Sequence, residues 1–502
     1  VQGLRLSRSF ILRASVAIAA GALSAIAFLP INSGWISLFV LIPLFWAWRD
    51  QKILTASLIG FFYGVGFLLV LMFGLHYLGF LAYLSLAFLA ALYYAAIGAV
   101  VAAFAQRGMR NPWLTAAIWI MSEGLRVRWP LGGLAWGELG GALHDFAVPR
   151  SLAGWGGVAL ISFLVVAING FLYDFYLGLS SNKKRIRALS GLISILLLVA
   201  VGYVAKFEPT PTGRIRFALI QGFDKADAEL ASSAIGPAET QAHFDLAKGL
   251  ENNFDLIVLP ESALYDDPQV NPELQAQIVS LAEKHNAVVL VNTRHYRANG
   301  KLYNTNFAYD PRGEVIGKYS KSHLVPFGEY VPWRSALSFI GPLRQIPYDF
   351  SPGTRRQTFL VDGHEVAGLI CYESAYPSLV GDFVRDGAEV IVVSTSDRSY
   401  RRSNMAEAHF AQAQMRAAEN ARPVLQASIS GVTGVIDSTG SVKARSELFE
   451  NTVLTGSINT YTGDTPYVRW GDWLILGAGL GLIGAALLVI RPGRRDKIQP
   501  PA

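Results

Sequence analysis

A single cysteine, Cys371, stands in a chain of 502 residues. That excludes an internal disulfide, and it excludes a cysteine-built zinc or iron–sulfur centre, which needs several thiolates. Charge is scarce as well: Asp, Glu, Lys and Arg make up 16% of the residues, against about 25% in ordinary soluble domains. An ordinary soluble enzyme is therefore excluded. No Gly-X-Y or heptad repeat marks a fibre, and 52% hydrophobic with 12% aromatic residues excludes a disordered chain. The formal charge of +6 does not point to nucleic acid, because it is unevenly spread: residues 1–205 hold 14 Lys/Arg against 5 Asp/Glu. A basic excess confined to the most apolar part of the chain belongs to membrane topology, not to a phosphate-binding surface.

What the chain has in abundance is long apolar runs, and its mean hydropathy is +0.34. They fall at about 10–30, 34–48, 53–79, 80–105, 112–125, 154–178, 188–205 and 470–490. A helix needs about 20 residues to cross about 30 Å of hydrocarbon, so the second and fifth runs must borrow flanking residues. Lone segments in lipid satisfy their own backbone only as helices, and no alternating barrel pattern is present. The basic groups then fix a topology. Arg5, Arg8 and Arg13; Arg49 and Lys52; Arg107 and Arg110; Lys183, Lys184, Arg185 and Arg187; and Arg491, Arg494, Arg495 and Lys497 each follow an even number of crossings. The positive-inside rule puts all five groups in the cytoplasm. Arg126, Arg128 and Arg150 are the exceptions.

The expected organisation is a membrane domain of seven transmembrane helices over 1–205 and an extracytoplasmic domain over 206–465. An eighth transmembrane helix over 466–490 and a basic cytoplasmic tail over 491–502 complete it. Both termini are cytoplasmic, and in a bacterium with two membranes the large domain is periplasmic, on the inner membrane. Glu123 falls in or at the end of the fifth helix, where a carboxylate needs a partner or a cavity. Arg126, one turn on, is the expected partner, and the pair reads either as a structural ion pair or as the lining of a substrate entrance.

Between 206 and 465 the pattern changes to short β-branched runs, with strands expected at 215–221, 255–260, 287–291, 305–309, 366–371, 390–394, 424–428 and 434–437. Helical patterns at about 238–252, 272–285 and 404–421 intervene, which predicts an α/β layered domain. Three strand ends carry reactive residues: DLIVLPES delivers Glu261, KYSKSHLVPFGEY carries Lys318, Lys321, His323 and Glu329, and VAGLICYES ends on Cys371, Tyr372 and Glu373. A carboxylate, an ammonium and a thiol suit nucleophilic catalysis: a base for the thiol, a cation for an oxyanion, and the thiol itself. A buried Cys at a strand end also reads as a small hydrophobe, but a lone thiol in an oxidising space is a liability unless it has a task.

LPES, KSHLVPFGEYVP and ICYES, in this order on an α/β domain framed by seven helices before and one after, resemble the apolipoprotein N-acyltransferase family. The domain itself resembles the nitrilase superfamily, whose α-β-β-α sandwich bears a Glu-Lys-Cys triad. The resemblance assigns the triad to Glu261, Lys321 and Cys371, since only Lys321 has the family's spacing to His323 and Glu329; Lys318 reads as an exposed lysine. It implies thiolate attack on a phospholipid acyl ester, an oxyanion held by Lys321 and the Tyr372 N–H, and a thioester. The α-amine of a diacylglyceryl-cysteine at the N-terminus of an apolipoprotein then takes the acyl chain, in a ping-pong reaction. No metal and no cofactor is implied, and the enzyme is expected to be a monomer. Glu329 and Glu373 read as groups orienting Lys321 or the incoming amine, or as ion pairs and loop caps. His323 reads as a hydrogen-bonded loop residue. The segment Val331 to Leu343, with Trp333, Leu337, Phe339 and Ile340, reads either as a lid dipping into the outer leaflet or as core packing.

The chain departs from the family in one loop. Where the family usually has SNDAWFG and a later QH pair, TSDRSYRRSNMAEAH keeps Asp397, Ser403 and His409, with Ser396 and Ser399 in place of Asn and Trp. Ser399, Tyr400, Arg401, Arg402 and His409, with Trp333, are candidate substrate-binding residues. The arginine pair reads as a fork for a phospholipid phosphate or as solvated loop charge. LAWGELG replaces a commoner FPW-type sequence between the fifth and sixth helices, and Gln426 and Ser430 precede Gly431 where the family has Arg-x-x-x-Asn-Gly. These changes bear on donor and acceptor choice. The alternative readings are a membrane-tethered amidase or lipid hydrolase with the same triad, a divergent paralogue with another donor or acceptor, or a silent lipoprotein-binding module.

Overall fold

The computed structural model describes residues 7–223 and 236–490, residues 29 and 180 apart. Arg5 and the basic tail with Arg491, Arg494, Arg495 and Lys497 lie outside the described residues. The apolar runs form α1 (Arg8–Ile26), α2 (Ile42–Trp48), α3 (Ile53–Leu71), α4 (Phe80–Ala105), α5 (Pro112–Arg126), α6 (Ala147–Ser151), α7 (Ala153–Leu177) and α8 (Asn182–Val204). Among the described residues α1, α3, α4, α7 and α8 are long and apolar enough to cross a membrane. With no hydrophobic drive between helices in lipid, close approach of small residues holds them together: a Cβ on Gly60 of α3 would lie 2.1 Å from the Tyr94 carbonyl oxygen of α4.

The run at 34–48, expected as the second crossing, is not one continuous helix. It divides into a 3₁₀ turn at Gly34–Leu38 and the seven-residue α2. Asn169 of α7 fills the break, accepting from the Leu41 N–H at 2.9 Å and donating to the Ser37 carbonyl at 2.8 Å. A broken backbone survives in an apolar bundle only when protein groups satisfy it in this way.

Glu123 and Arg126 do not form the expected ion pair. Glu123 accepts from the Trp119 indole at 2.9 Å and the Leu139 N–H at 2.8 Å, while Arg126 donates to the carbonyls of Leu134, at 3.1 Å, and Trp136. Each charge is met by the 134–139 loop folding back over the helix end, so neither turns to the other.

The bundle has two distinct ends. At one, Arg13 donates to the carbonyls of Trp46, Ala47 and Arg49 at 3.0, 2.9 and 3.2 Å, and Arg110 pairs with Asp50 at 2.5 Å. At the other, Asn404 donates to the Leu71 carbonyl at 3.1 Å and Arg150 to Thr439 and Ser441 at 2.8 Å each. The α/β domain therefore caps the end away from Arg13, Arg49 and Arg110.

That domain contains two six-stranded sheets. The first runs in the order β12 (Thr452–Thr462), β1 (Thr210–Gln221), β2 (Leu256–Val258), β3 (Val288–Tyr296), β4 (Leu302–Tyr309), β5 (Val315–Ser320). The second runs β11 (Val442–Arg445), β10 (Gly434–Ile436), β9 (Val424–Ser428), β8 (Val390–Thr395), β7 (His364–Ile370), β6 (Thr358–Val361). Strand alternation makes the layers. Ile215, Phe217 and Leu219 of β1 join a core shared with β7, β8 and β9, whereas Ala218 and Ile220 pack with Phe244 of α9 (Pro237–Lys248) and Ile278 of α10 (Pro272–His285). On the outer face of the second sheet lie α11 (Pro377–Arg385) and α12 (Asn404–Asn420), followed by α13 (Pro466–Trp470) and the apolar α14 (Trp473–Ile490). The result is an α-β-β-α sandwich.

Four strands, β5, β6, β11 and β12, and the helix α11 are additions to the expected set. β12 carries Thr, Gly, Ser and Asn with little burial, so no apolar run announces it; its eleven residues are held by antiparallel register against β1. The domain is also keyed into the bundle. At Gly157, with φ of 67°, α7 breaks, and Glu419 of α12 accepts from the Val158 N–H at 2.9 Å where the helix restarts.

Candidate active site

Three strand ends converge. Glu261 follows β2 beyond Pro260, Lys321 follows β5, and Cys371 follows β7; Glu261 is 6% exposed and Lys321 1%. Buried ions must be paired and hydrogen-bonded, and these are. The Lys321 ammonium lies 3.0 Å from Glu329 Oε1 and 3.3 Å from Glu261 Oε1. A ladder of asparagines on β3 and β4 aims the carboxylates: Asn292 accepts from the Ser262 N–H at 2.7 Å and donates to Asn304 at 2.8 Å. Asn304 donates in turn to Glu261 at 2.8 Å and to Glu329 at 3.0 Å. The Ser396 N–H reaches the other oxygen of Glu261 at 3.2 Å. Burial alone would lower the Lys321 pKa, but the Glu261 and Glu329 carboxylates hold it well above its ordinary value, so the ammonium is permanent.

Cys371 adopts φ of 52°, a left-handed conformation that a non-glycine residue holds only when its surroundings impose it. Burial and the Glu261 carboxylate push its thiol well above the ordinary range, against the pull of Lys321. The resting group is thus the neutral thiol, which reacts as a nucleophile only if a base takes its proton. Thr395 Oγ1 lies 3.3 Å from Sγ.

Of the two readings of Glu373, its contacts are those of a loop cap: its oxygens accept from Ile370 N (3.0 Å), Tyr319 OH (2.7 Å), Ser322 N (2.8 Å), Ser322 Oγ (3.0 Å) and His323 N (3.1 Å). Fully buried, it ties the lysine loop to the cysteine turn. Glu329 does touch Lys321, and it also accepts from Val325 N at 2.8 Å. Tyr372 docks the turn on the bundle: its hydroxyl accepts from Ala135 N at 2.9 Å and its ring stacks on Trp136 at 5.5 Å. His323 stacks on Tyr376, and burial with Lys321 nearby lowers its pKa to about 4, which leaves it neutral. Lys318 is exposed on β5.

The candidate substrate-binding residues separate. Trp333 is 69% exposed and Phe339 78%, on an arm anchored by Arg334 to Asp349 at 2.5 Å; core packing does not hold for these two. Tyr400 meets Trp136 edge-on at 6.4 Å, and Ser399 is exposed beside it. Arg401 lies over the Tyr77 ring at 5.0 Å and Arg402 over Phe449 at 4.9 Å, so the two guanidinium groups rest on different rings. His409 is 1% exposed, with Nε2 3.1 Å from the Cys371 carbonyl. Asn304 and Thr395 were not legible as site residues, and the LAWGELG stretch did not show that its Trp136 stacks on Tyr372. Asn304 and Thr395 sit in ordinary strand patterns, and Trp136 is far from the α/β domain in sequence.

Residues 20–171 match the apolipoprotein N-acyltransferase N-terminal domain and residues 237–467 the carbon-nitrogen hydrolase family. An apolipoprotein N-acyltransferase of Methylococcus capsulatus is 34% identical over 379 residues, covering 73% of this chain and 72% of the relative. The chain belongs to the apolipoprotein N-acyltransferase family. Other apolipoprotein N-acyltransferases match it in Geobacter metallireducens (30% identity, 82% of this chain, 79% of the relative) and Photobacterium profundum (29%, 95% of each). Among solved structures, a carbon-nitrogen hydrolase from Helicobacter pylori G27 is similar over 53% of this chain and 94% of its own, at 17% identity and a TM-score of 0.37. As a member of the apolipoprotein N-acyltransferases, the chain is a membrane-associated acyltransferase with a nitrilase-like domain.

Proposed function

We propose that this apolipoprotein N-acyltransferase works through Glu261 as base, Cys371 as nucleophile and Lys321 as oxyanion cation, and that it passes an acyl chain from a phospholipid to an apolipoprotein. The observation that carries the reading is the buried Glu261–Lys321–Glu329 cluster beside a neutral thiol at the junction with the bundle. Glu261 takes the Cys371 proton. The thiolate attacks the ester carbonyl, and the developing oxyanion is stabilised by Lys321 and the Tyr372 N–H. Collapse releases lysophospholipid and leaves a thioester. The free α-amine of a diacylglyceryl-cysteine attacks, Glu261 receives its proton, and the thiol leaves with the N-acylated product formed. No step calls for a metal or a cofactor.

The same reading gives eight crossings, with the 34–48 segment counted as one broken span and α5 and α14 extended by flanking residues. The domain over 206–465 then lies in the periplasm of a bacterial inner membrane and the basic end of the bundle in the cytoplasm. Clustering of Arg13, Arg49 and Arg110 at the end away from the α/β domain supports this orientation. The exposed Trp333–Ile340 arm serves as a lid over the lipid entrance. One chain carries every reacting group, and the functional unit is a monomer.

Intact-protein mass spectrometry tests the reading. Incubation with phospholipid should add one acyl mass to Cys371, labile to hydroxylamine, and a diacylated N-terminal Cys peptide should remove it onto its amine. Decay to free fatty acid alone would mark a hydrolase instead.

A further inference from the structure

Around Cys371, beyond the contacts of Glu261 and Lys321, lies a buried polar chain that the acyl-transfer steps above do not use. Asp397, itself in the left-handed region at φ of 52°, accepts from His409 Nδ1 at 3.0 Å through Oδ1. The other ring nitrogen of His409 faces the Cys371 carbonyl at 3.1 Å and Ser374 Oγ at 2.9 Å. Ser374 spends its own hydrogen on the same carbonyl at 3.1 Å, so His409 Nε2 must carry a proton toward both oxygens. With acceptors at both nitrogens, the ring is an imidazolium. Burial would lower its pKa, yet Asp397 and the Cys371 carbonyl outweigh burial and raise it.

Thr395 closes the chain from the other side. Its hydroxyl lies 3.3 Å from Cys371 Sγ and 3.2 Å from Asp397 Oδ1, but a hydroxyl has one hydrogen. While the thiol is neutral, the carboxylate is the stronger acceptor and takes it. Once the sulfur is an anion, a charge-assisted bond to it competes.

We propose that Thr395, Asp397 and His409 are positioning residues that hold Cys371 at its carbonyl and at its sulfur. In this chain the Thr395 hydroxyl turns its hydrogen from Asp397 Oδ1 to Sγ when Glu261 removes the thiol proton. No bond to hydrogen breaks in that turn: the hydroxyl rotates, and Asp397 keeps the His409 Nδ1–H. The charged groups facing the sulfur are Glu261 and Asp397, which oppose its ionisation, and Lys321, which favours it; those facing His409 include Asp397 and Glu261. The inference rests on Cys371 being the nucleophile, and its test reads the thiol directly, without acyl transfer.

Since Cys371 is the only cysteine, iodoacetamide alkylation of the full-length enzyme in detergent, followed by mass across pH, reports its ionisation alone. Thr395→Val should move the alkylation midpoint up by about one pH unit, about tenfold less thiolate at a fixed pH, while Thr395→Ser stays near the parent. Asp397→Asn should move it down, because the hydroxyl is released to the sulfur and a negative charge is lost. A merely structural role would shift neither midpoint, or both the same way, and either result overturns the proposal. Thr395→Ala, which only removes atoms, repeats the comparison should the valine variant not fold. Cys371→Ala retaining acyl transfer would overturn the nucleophile assignment separately.

Discussion

Two buried acid–base sets, one in the bundle and one in the α/β domain, are satisfied in opposite ways. Glu123 and Arg126 are one helical turn apart, yet each spends itself on neutral partners, the Trp119 indole and the Leu139 N–H for one and backbone carbonyls for the other. Lys321 is 60 residues from Glu261 and meets it and Glu329 directly. Dipoles that come from the folded backbone neutralise a charge permanently and leave nothing to react. Ions set against ions, aimed by Asn304, keep a carboxylate oxygen and an ammonium hydrogen available for a substrate to claim. The first arrangement builds a helix end; the second stores reactivity.

The largest effects should fall on the reactive set. Glu261→Gln keeps the shape and removes the proposed base, and formation of the proposed Cys371 acyl-enzyme should slow by about 10²- to 10⁴-fold, followed as the rate of acyl mass gain. Lys321→Met leaves two buried carboxylates without their cation. Removing one partner of a buried pair costs about 3–5 kcal/mol, so thermal unfolding in detergent should show a large loss together with lost turnover, and an unchanged unfolding temperature would erase the contrast drawn here.

Glu123→Gln should separate the two sets. It weakens the bonds from Trp119 and Leu139, costing about 1–3 kcal/mol of stability, while the acyl-enzyme still forms at the parent rate. Loss of that rate with folding intact would place Glu123 in the substrate path. The smallest effect is on pH dependence. The folded pKa of His409 is raised above its ordinary value, so its pair with Asp397 contributes fully below the unfolded value of about 6.5 and is lost as pH rises through the folded one. The unfolding temperature should decline across that window, and His409→Asn should flatten the decline.

Much of this was legible in the chain. Seven of the eight apolar runs contain one dominant helix each, because hydropathy is a property of composition and lipid demands helices. The strand cores from 215 to 437 were readable for the same reason, as short β-branched runs. The 34–48 run misled: Pro43 marks the start of α2 within it, but Asn169, whose side chain satisfies the broken backbone, lies more than a hundred positions on. β12 was silent because its stability lies in pairing with β1. Glu261 and Cys371 could be picked out at the ends of apolar strands and Lys321 by the family's spacing to His323 and Glu329; which of its two readings Glu373 takes, and that His409 faces the Cys371 carbonyl, could not, since both depend on which backbone groups arrive from elsewhere.

By itself, then, the sequence determined that the chain enters a membrane, that an α/β domain follows the bundle, and which residue types are reactive, since each depends on local composition and spacing. Only the tertiary structure decided which charges meet. Glu123 and Arg126 were kept apart and Lys321 was set between two carboxylates because a buried ion takes whichever dipoles or counter-ions the folded backbone brings within about 3 Å, and that is a property of the whole fold.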